Sequence, residues 1–165
     1  MPWVTPKDMK RDRIADAEDH ITEAGIEGSA VKRVPPGALL MVVRGMILAH
    51  SFPVALTSRE VTINQDMKAL VPFDADLGPY LLVLMKGLKS VVLNMVERST
   101  HGTCKLDTDD LFGLPLPIPP WTEQRRIVAR VDELMQLLDR LEARLSAAKE
   151  AHTAFAAAAV HHLDV

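Results

Sequence analysis

Few residues of this 165-residue chain sit at spacings that support bond-making chemistry. Asp66-Met67-Lys68 supplies the acid and the lysine of a metal-dependent nuclease, provided that a further carboxylate converges on them. At a strand edge the same triplet is commonly plain surface, and so short a match carries false-positive risk. Cys104 follows His101 by three residues, but a thiol nucleophile also needs a group that orients its base. A loop cysteine is the simpler reading. His161 and His162 are adjacent, so their imidazoles point apart on a helix, and a frayed tail is expected rather than a metal site. No glycine-rich phosphate loop precedes a helix, and nothing resembles the cofactor strand and catalytic tetrapeptide of a DNA methyltransferase. The expectation is a chain with no catalytic residue, no metal and no bound cofactor of its own.

Residue types suited to binding are more plentiful. Lys7, Lys10 and Arg11 lie in the first helical segment, with Arg13 at its exit, and Lys32, Arg33 and Arg59 follow. Arg44 interrupts an apolar run just before Gly45, so it is either aimed out at a sheet end or paired inside. A guanidinium placed there can make bidentate contacts to guanine or phosphate. Ser99, Thr100, His101, Gly102 and Thr103, with Lys105 beyond them, offer hydroxyls and a pliant backbone suited to phosphate. For all of these the ordinary alternative is a solvated surface. Charge alone does not suggest nucleic acid: the formal net charge is -3, with 13 Lys+Arg against 15 Asp+Glu in residues 1 to 120 and 6 against 7 in residues 121 to 165. Since phosphate neutralisation needs cations, any DNA face has to be a local basic patch.

The elements that would position these residues follow from pattern. Thr5-Pro6-Lys7-Asp8 has the form of a helix start, with a capping threonine and proline at the first helical position. Ile14 to Ala24 fits a helix or a short strand at His20-Ile21-Thr22. From Val31 to Val71 the texture is β-rich: runs at 31–34, 39–43, 54–56, 61–63 and 67–71 are separated by Pro35-Pro36-Gly37, Gly45, Pro53 and Asn64. This predicts a compact antiparallel or mixed sheet. Pro79 opens a run in which Leu81, Leu84, Met85, Leu88, Val91, Val92, Met95 and Val96 recur at helical steps, so one helix should pack on that sheet. A polar loop follows, and Leu114 to Pro120 must be extended because proline removes donors and bars its predecessor from the helical region.

Beyond the prolines, Ile127, Val131, Leu134, Leu138, Leu141 and Leu145, continuing to Ala148, His152 and Phe155, alternate steps of four and three without a slip. That is a heptad seam. Thr122 can cap the helix, which would run ~42 Å from Ile127 to Phe155 at 1.5 Å per residue and needs a partner helix. The predicted organisation is an α+β domain over residues 1–120 and a coiled-coil helix over residues 121–165. The longest apolar stretch, Gly37 to Leu56, contains Arg44, His50 and Pro53, which argues against a membrane span. The N-terminus lacks the pattern of a signal peptide, and one cysteine suits a reducing compartment. Cytoplasmic placement is the expectation.

Four segments together resemble the specificity subunits of type I restriction-modification enzymes. Pro36-Gly37-Ala38-Leu39-Leu40-Met41-Val42-Val43-Arg44-Gly45 is similar to the strand-then-Arg-Gly segment of their target recognition domains, and Ile63 to Leu70 to the Asn-Gln-Asp strand after it. Thr100-His101-Gly102-Thr103 resembles their Gly-Thr loop. Pro115-Leu116-Pro117-Ile118-Pro119-Pro120-Trp121-Thr122-Glu123-Gln124-Arg125-Arg126 resembles the proline stretch and Glu-Gln-Arg start of their conserved spacer helix. The resemblance implies a non-catalytic reader of double-stranded DNA. It implies docked methyltransferase subunits that use S-adenosylmethionine to methylate adenine, and a separate restriction subunit that cuts. A full subunit of that family carries two recognition domains and two helices; here one domain–helix unit is present. The expectation is a shortened subunit that dimerises or pairs with another half, as a half subunit, a split-gene product or a remnant. A seam of ~42 Å suits two readers about one DNA turn, ~34 Å, apart. An oligomerisation module that no longer reads DNA and the Asp66–Lys68 nuclease are the alternatives.

Overall fold

The computed structural model describes residues 1–98 and 102–161, with the side chains of its last helix through Phe155. The fold is α+β. In chain order its elements are β1 (Pro2–Val4), a 3₁₀ turn (Pro6–Asp8), β2 (Arg13–Ile14), β3 (Asp19–His20), α1 (Glu23–Glu27), β4 (Arg33–Val34) and β5 (Leu39–Val42). A second 3₁₀ turn (Met46–Ala49) leads to β6 (Val54–Thr57), β7 (Val61–Ile63), β8 (Met67–Leu70) and a third turn (Ala75–Leu77). Then come α2 (Gly78–Gly87), α3 (Lys89–Asn94), β9 (Val96–Arg98), β10 (Cys104–Leu106), α4 (Thr108–Phe112) and α5 (Trp121–His161). The chain separates into two compact units, Met1–Gln124 and Arg125–Val165.

The β-rich region does not make one sheet. β3-β1-β7-β4 and β2-β6-β5-β8 are separate four-stranded sheets, and β9 and β10 form a hairpin. In the first, β1 pairs parallel with β7, and the buried Thr62 hydroxyl donates to the Pro2 carbonyl at 2.9 Å. In the second, β5 lies antiparallel between β6 and β8, with Leu40 opposite Ala55 on one side and Ala69 on the other. Every residue of β5 is buried, as expected of a central strand covered on both faces. Leu81, Leu82 and Met85 of α2 join Leu39, Met41 and Leu56 in the core. Gly78 allows this approach, because a Cβ there would sit 3.2 Å from the Gly37 carbonyl oxygen and 3.3 Å from Leu56.

The periodicity from Leu81 to Val96 is broken where one helix was expected. α2 ends at Gly87, α3 starts at Lys89, and Val96 already belongs to a strand. Glycine is a poor helix former, and here it frees the chain to turn. The Ile14–Ala24 stretch resolves into β2, β3 and the start of α1, whose cap is Thr22, its hydroxyl accepting from the Gly25 N–H at 3.1 Å. At the C-terminal helix the expected cap is also displaced. Thr122 lies inside the first turn of α5, and the Pro120 carbonyl accepts from the Glu123 and Gln124 N–H groups at 2.9 and 3.1 Å. Proline is well suited to lead into a helix, since its missing donor costs nothing there. The extended stretch before it is pinned to the domain: Tyr80 donates to the Pro117 carbonyl at 2.8 Å, and the buried Gln124 amide donates to Pro119 at 2.7 Å.

One buried hydroxyl ties the turn before β5 to β6. Thr57 donates to the Pro35 carbonyl at 2.7 Å and accepts from the Ala38 N–H at 3.0 Å. Thr57→Val keeps the shape and orphans both partners, so urea unfolding should show a loss of about 1–3 kcal/mol. A stability equal to wild type would show that the hydroxyl contributes nothing to holding the turn.

Candidate nucleic-acid interface

The register of the second sheet brings distant residues to one end. β5 runs toward that end and delivers Arg44, whereas β2, β6 and β8 start from it. The segments meeting there are therefore Lys10-Arg11-Asp12 before β2, Phe52-Pro53 before β6, Val43-Arg44-Gly45 after β5 and Asn64-Gln65-Asp66 before β8. Backbone bonds confirm the convergence: Leu56 N–H donates to Asp12 O at 2.8 Å, Val42 N–H to Pro53 O at 3.2 Å, and Arg44 N–H to Asp66 O at 3.2 Å. The β9–β10 hairpin joins the same end, because Arg44 bridges Lys105 in antiparallel fashion and Gly45 N–H donates to Cys104 O at 3.0 Å. Gly45 has φ +127, a conformation that only glycine adopts without strain, and the chain turns there immediately after presenting Arg44.

Arg44 is exposed and has no ion-pair partner among the described residues, so of the two placements open to it the outward one holds. Lys10 and Arg11 are likewise exposed and unpaired among the described residues. Lys105 is exposed and sits 3.7 Å from Asp107. Lys7 differs. It binds Asp19 at 2.8 Å and Glu18 at 3.4 Å, and its ammonium is held above the usual lysine value chiefly by the Asp19 bond. A phosphate would have to compete with both acids. Ser99, Thr100 and His101 lie outside the described residues, as does His162; Gly102 has φ +82 and, with Thr103, is exposed.

Gln65, absent from the sequence-level candidates, is exposed at the same sheet end with its amide uncommitted among the described residues. A cavity of about 650 Å³ lies beside it, lined by Trp3, Lys32, Asn64, Gln65 and Lys68. Asp66 turns out to be a turn-former: its N–H donates to Asn64 Oδ1 at 3.2 Å and its carboxylate accepts from Asn64 Nδ2 at 3.3 Å. Among the described residues no three His, Cys, Asp or Glu side chains gather to hold a metal ion. Cys104 is buried in a strand rather than placed in a loop.

The geometry is that of a mixed α+β domain with a cationic sheet end, followed in the chain by a long heptad-patterned helix. Comparison with known proteins identifies the family. Residues 1–150 match the model of the type I restriction modification DNA specificity domain, and the chain belongs to that family. It is 33% identical over 141 residues to the EcoR124I/EcoR124II type I restriction enzyme specificity subunit of Escherichia coli, covering 86% of this chain and 35% of the relative. It also shares its fold with a chain from a solved type I restriction-modification assembly, at TM-score 0.60 and 23% identity, over 85% of this chain and 32% of the other. The chain thus spans about a third of the length of these relatives.

The loop carrying Lys7, Lys10 and Arg11 is held by Asp8. Burial pushes its carboxyl up, but bonds from the Glu18 N–H at 3.0 Å and from the Thr5 N–H and hydroxyl at 2.9 Å outweigh that and hold it below the usual aspartate value. A carboxylate depressed on folding stabilises fully above its unfolded value, near 3.9, and loses that contribution as pH falls through the lower folded value. The amide resonances of Thr5 and Glu18 should therefore shift together below pH ~3.9. A shared midpoint above that value would contradict the bonding.

Proposed function

We propose that this chain is a non-catalytic reader of duplex DNA within a type I restriction-modification complex. One observation carries the reading: in a chain of net charge -3, sheet register gathers Lys10, Arg11, Arg44 and Lys105 at one end. Arg44 is the candidate for base contact, through its bidentate match to the guanine edge. Lys10, Arg11, Lys105 and the Ser99–Thr103 loop are candidates for phosphate. Methylation of adenine belongs in this proposal to docked methyltransferase subunits, which bind S-adenosylmethionine, and cutting belongs to the restriction subunit. The site of action is the cytoplasm; among the described residues no helix is long and apolar enough to cross a membrane.

Helix α5 is the proposed spacer. Its 41 residues extend roughly 60 Å at the standard rise. Leu134, Leu138, Leu141 and Leu145 are 44 to 58% exposed, so the heptad seam stands uncovered along its middle. Burying a leucine contributes about 1.5–3 kcal/mol, and four in register favour pairing with the same helix of a second copy or of another specificity-subunit half.

Two measurements test the proposal. Arg44→Ala should cut affinity for the preferred duplex by about tenfold to a hundredfold, the worth of one bidentate base contact. An unchanged affinity would remove Arg44 from the DNA face. Leu138→Asp with Leu141→Asp should convert a dimer into a monomer in sedimentation equilibrium, and an unchanged mass would rule out the seam as the pairing surface.

A further inference from the structure

One cavity extends the cationic sheet end to two lysines not assigned so far, Lys86 and Lys89. About 380 Å³ in volume, it opens beside the Lys10-Arg11 loop, with Ile47 and Phe52 in its lining and Lys10, Arg11, Lys86 and Lys89 around it. Asp12 is the one carboxylate in that lining, and Lys86 already binds it. Lys10, Arg11 and Lys89 have no ion pair among the described residues, so three positive charges share the site uncompensated. Like charges held together repel, and a bound polyanion would relieve the repulsion.

The cavity lies at the sheet end that carries Arg44. From β2 across β6 to β5 is two strand steps, or about 10 Å, comparable with the reach from base edges on the floor of a major groove ~12 Å wide and ~8.5 Å deep to one of its flanking backbones. A duplex with its base edges at Arg44 would bring one backbone to the cavity.

We propose that Lys86 and Lys89, together with Lys10 and Arg11, form a subsite for the phosphate backbone of duplex DNA, one that positions the duplex without reading its sequence. The inference rests on the DNA-reading function proposed above. The test measures binding of the full chain to a random-sequence duplex pool, and to the duplex that the wild-type chain enriches from it, over a salt series. Lys86→Gln with Lys89→Gln should flatten the slope of log K against log salt by between about 0.9 and 1.8, at ~0.9 per phosphate contact, the upper figure requiring Lys86 to exchange Asp12 for phosphate, and weaken both duplexes by the same factor. Lys89→Gln alone, which breaks no ion pair, should flatten it by about 0.9. Unchanged slopes in a chain whose wild type binds would overturn the subsite and leave the DNA reading standing. Selective loss of the enriched duplex would overturn it too, by making these lysines readers of bases. Wild-type protein without salt-dependent affinity for either duplex would overturn the DNA reading and the subsite together.

Discussion

Strand β5 is buried over all four of its residues and paired along both of its edges, to β6 and to β8. In a strand a shift of one residue sends every side chain to the opposite face; β5 is apolar on both, so polarity alone does not set its register, and the lock is the pairing of both edges together with the Thr57 bonds to Pro35 and Ala38. That lock decides what meets at the sheet end. With Met41 opposite Val54 and Lys68, the segments after β5 and before β6 and β8 have no freedom to diverge. Arg44 and Gln65 are held near each other because aliphatic side chains some residues away have no other place to be. The Thr57 hydroxyl performs the equivalent task at the opposite end, tying the Pro35–Ala38 turn to β6.

Much of this fold is legible in the sequence, because burial leaves a pattern. Each β-rich run between Val31 and Val71 contains a strand, the proline stretch is extended, and the heptad segment is helical. What the pattern does not carry is partnership. Thr62 bonds to the Pro2 carbonyl across sixty residues of chain, and no local signal in Val61-Thr62-Ile63 says that its sheet is the other one. The β9–β10 hairpin was hidden for a different reason. Val92, Met95 and Val96 continue a helical period numerically, so the change from helix to strand after Asn94 has no apolar mismatch to reveal it. Asp107, which caps α4 by accepting from the Asp109 N–H at 2.8 Å, was a readable signal, since an aspartate before a short apolar run is a common helix start.

The candidate site divides along the same line. Arg44 could be picked out because a charge inside an apolar run has to be explained. Lys86 and Lys89 could not, since exposed lysines on a helix look the same whether or not other cations face them. Counting charges over residues 1–120 averages Lys10, Arg11 and Lys89 with acids that lie elsewhere, such as Glu23 and Glu60 on Arg33, and returns a balance close to zero. Lys7 shows the converse: a cation beside Lys10 in sequence is committed in space to Asp19 and Glu18. Only the folded arrangement tells an available charge from a spent one.

A cationic patch on a chain of net negative charge has a consequence for encounter. Long-range attraction to DNA is weak, and the remaining surface is repelled, so productive approach is confined to the orientation that presents the sheet end. Such a chain gains orientation at the expense of affinity, and the few unpaired cations at that end limit the counterion release available to one copy. The proposed pairing through α5 would change the balance. With a second sheet end tethered to the first, binding of one half-site would raise the effective concentration of the other, and the combined affinity would exceed that of either reader without any new contact. On that proposal the exposed leucine seam and the sparse cationic patch answer one need: a reader with few unpaired cations gains from a second copy, and the seam is the apolar surface through which a second copy would be recruited.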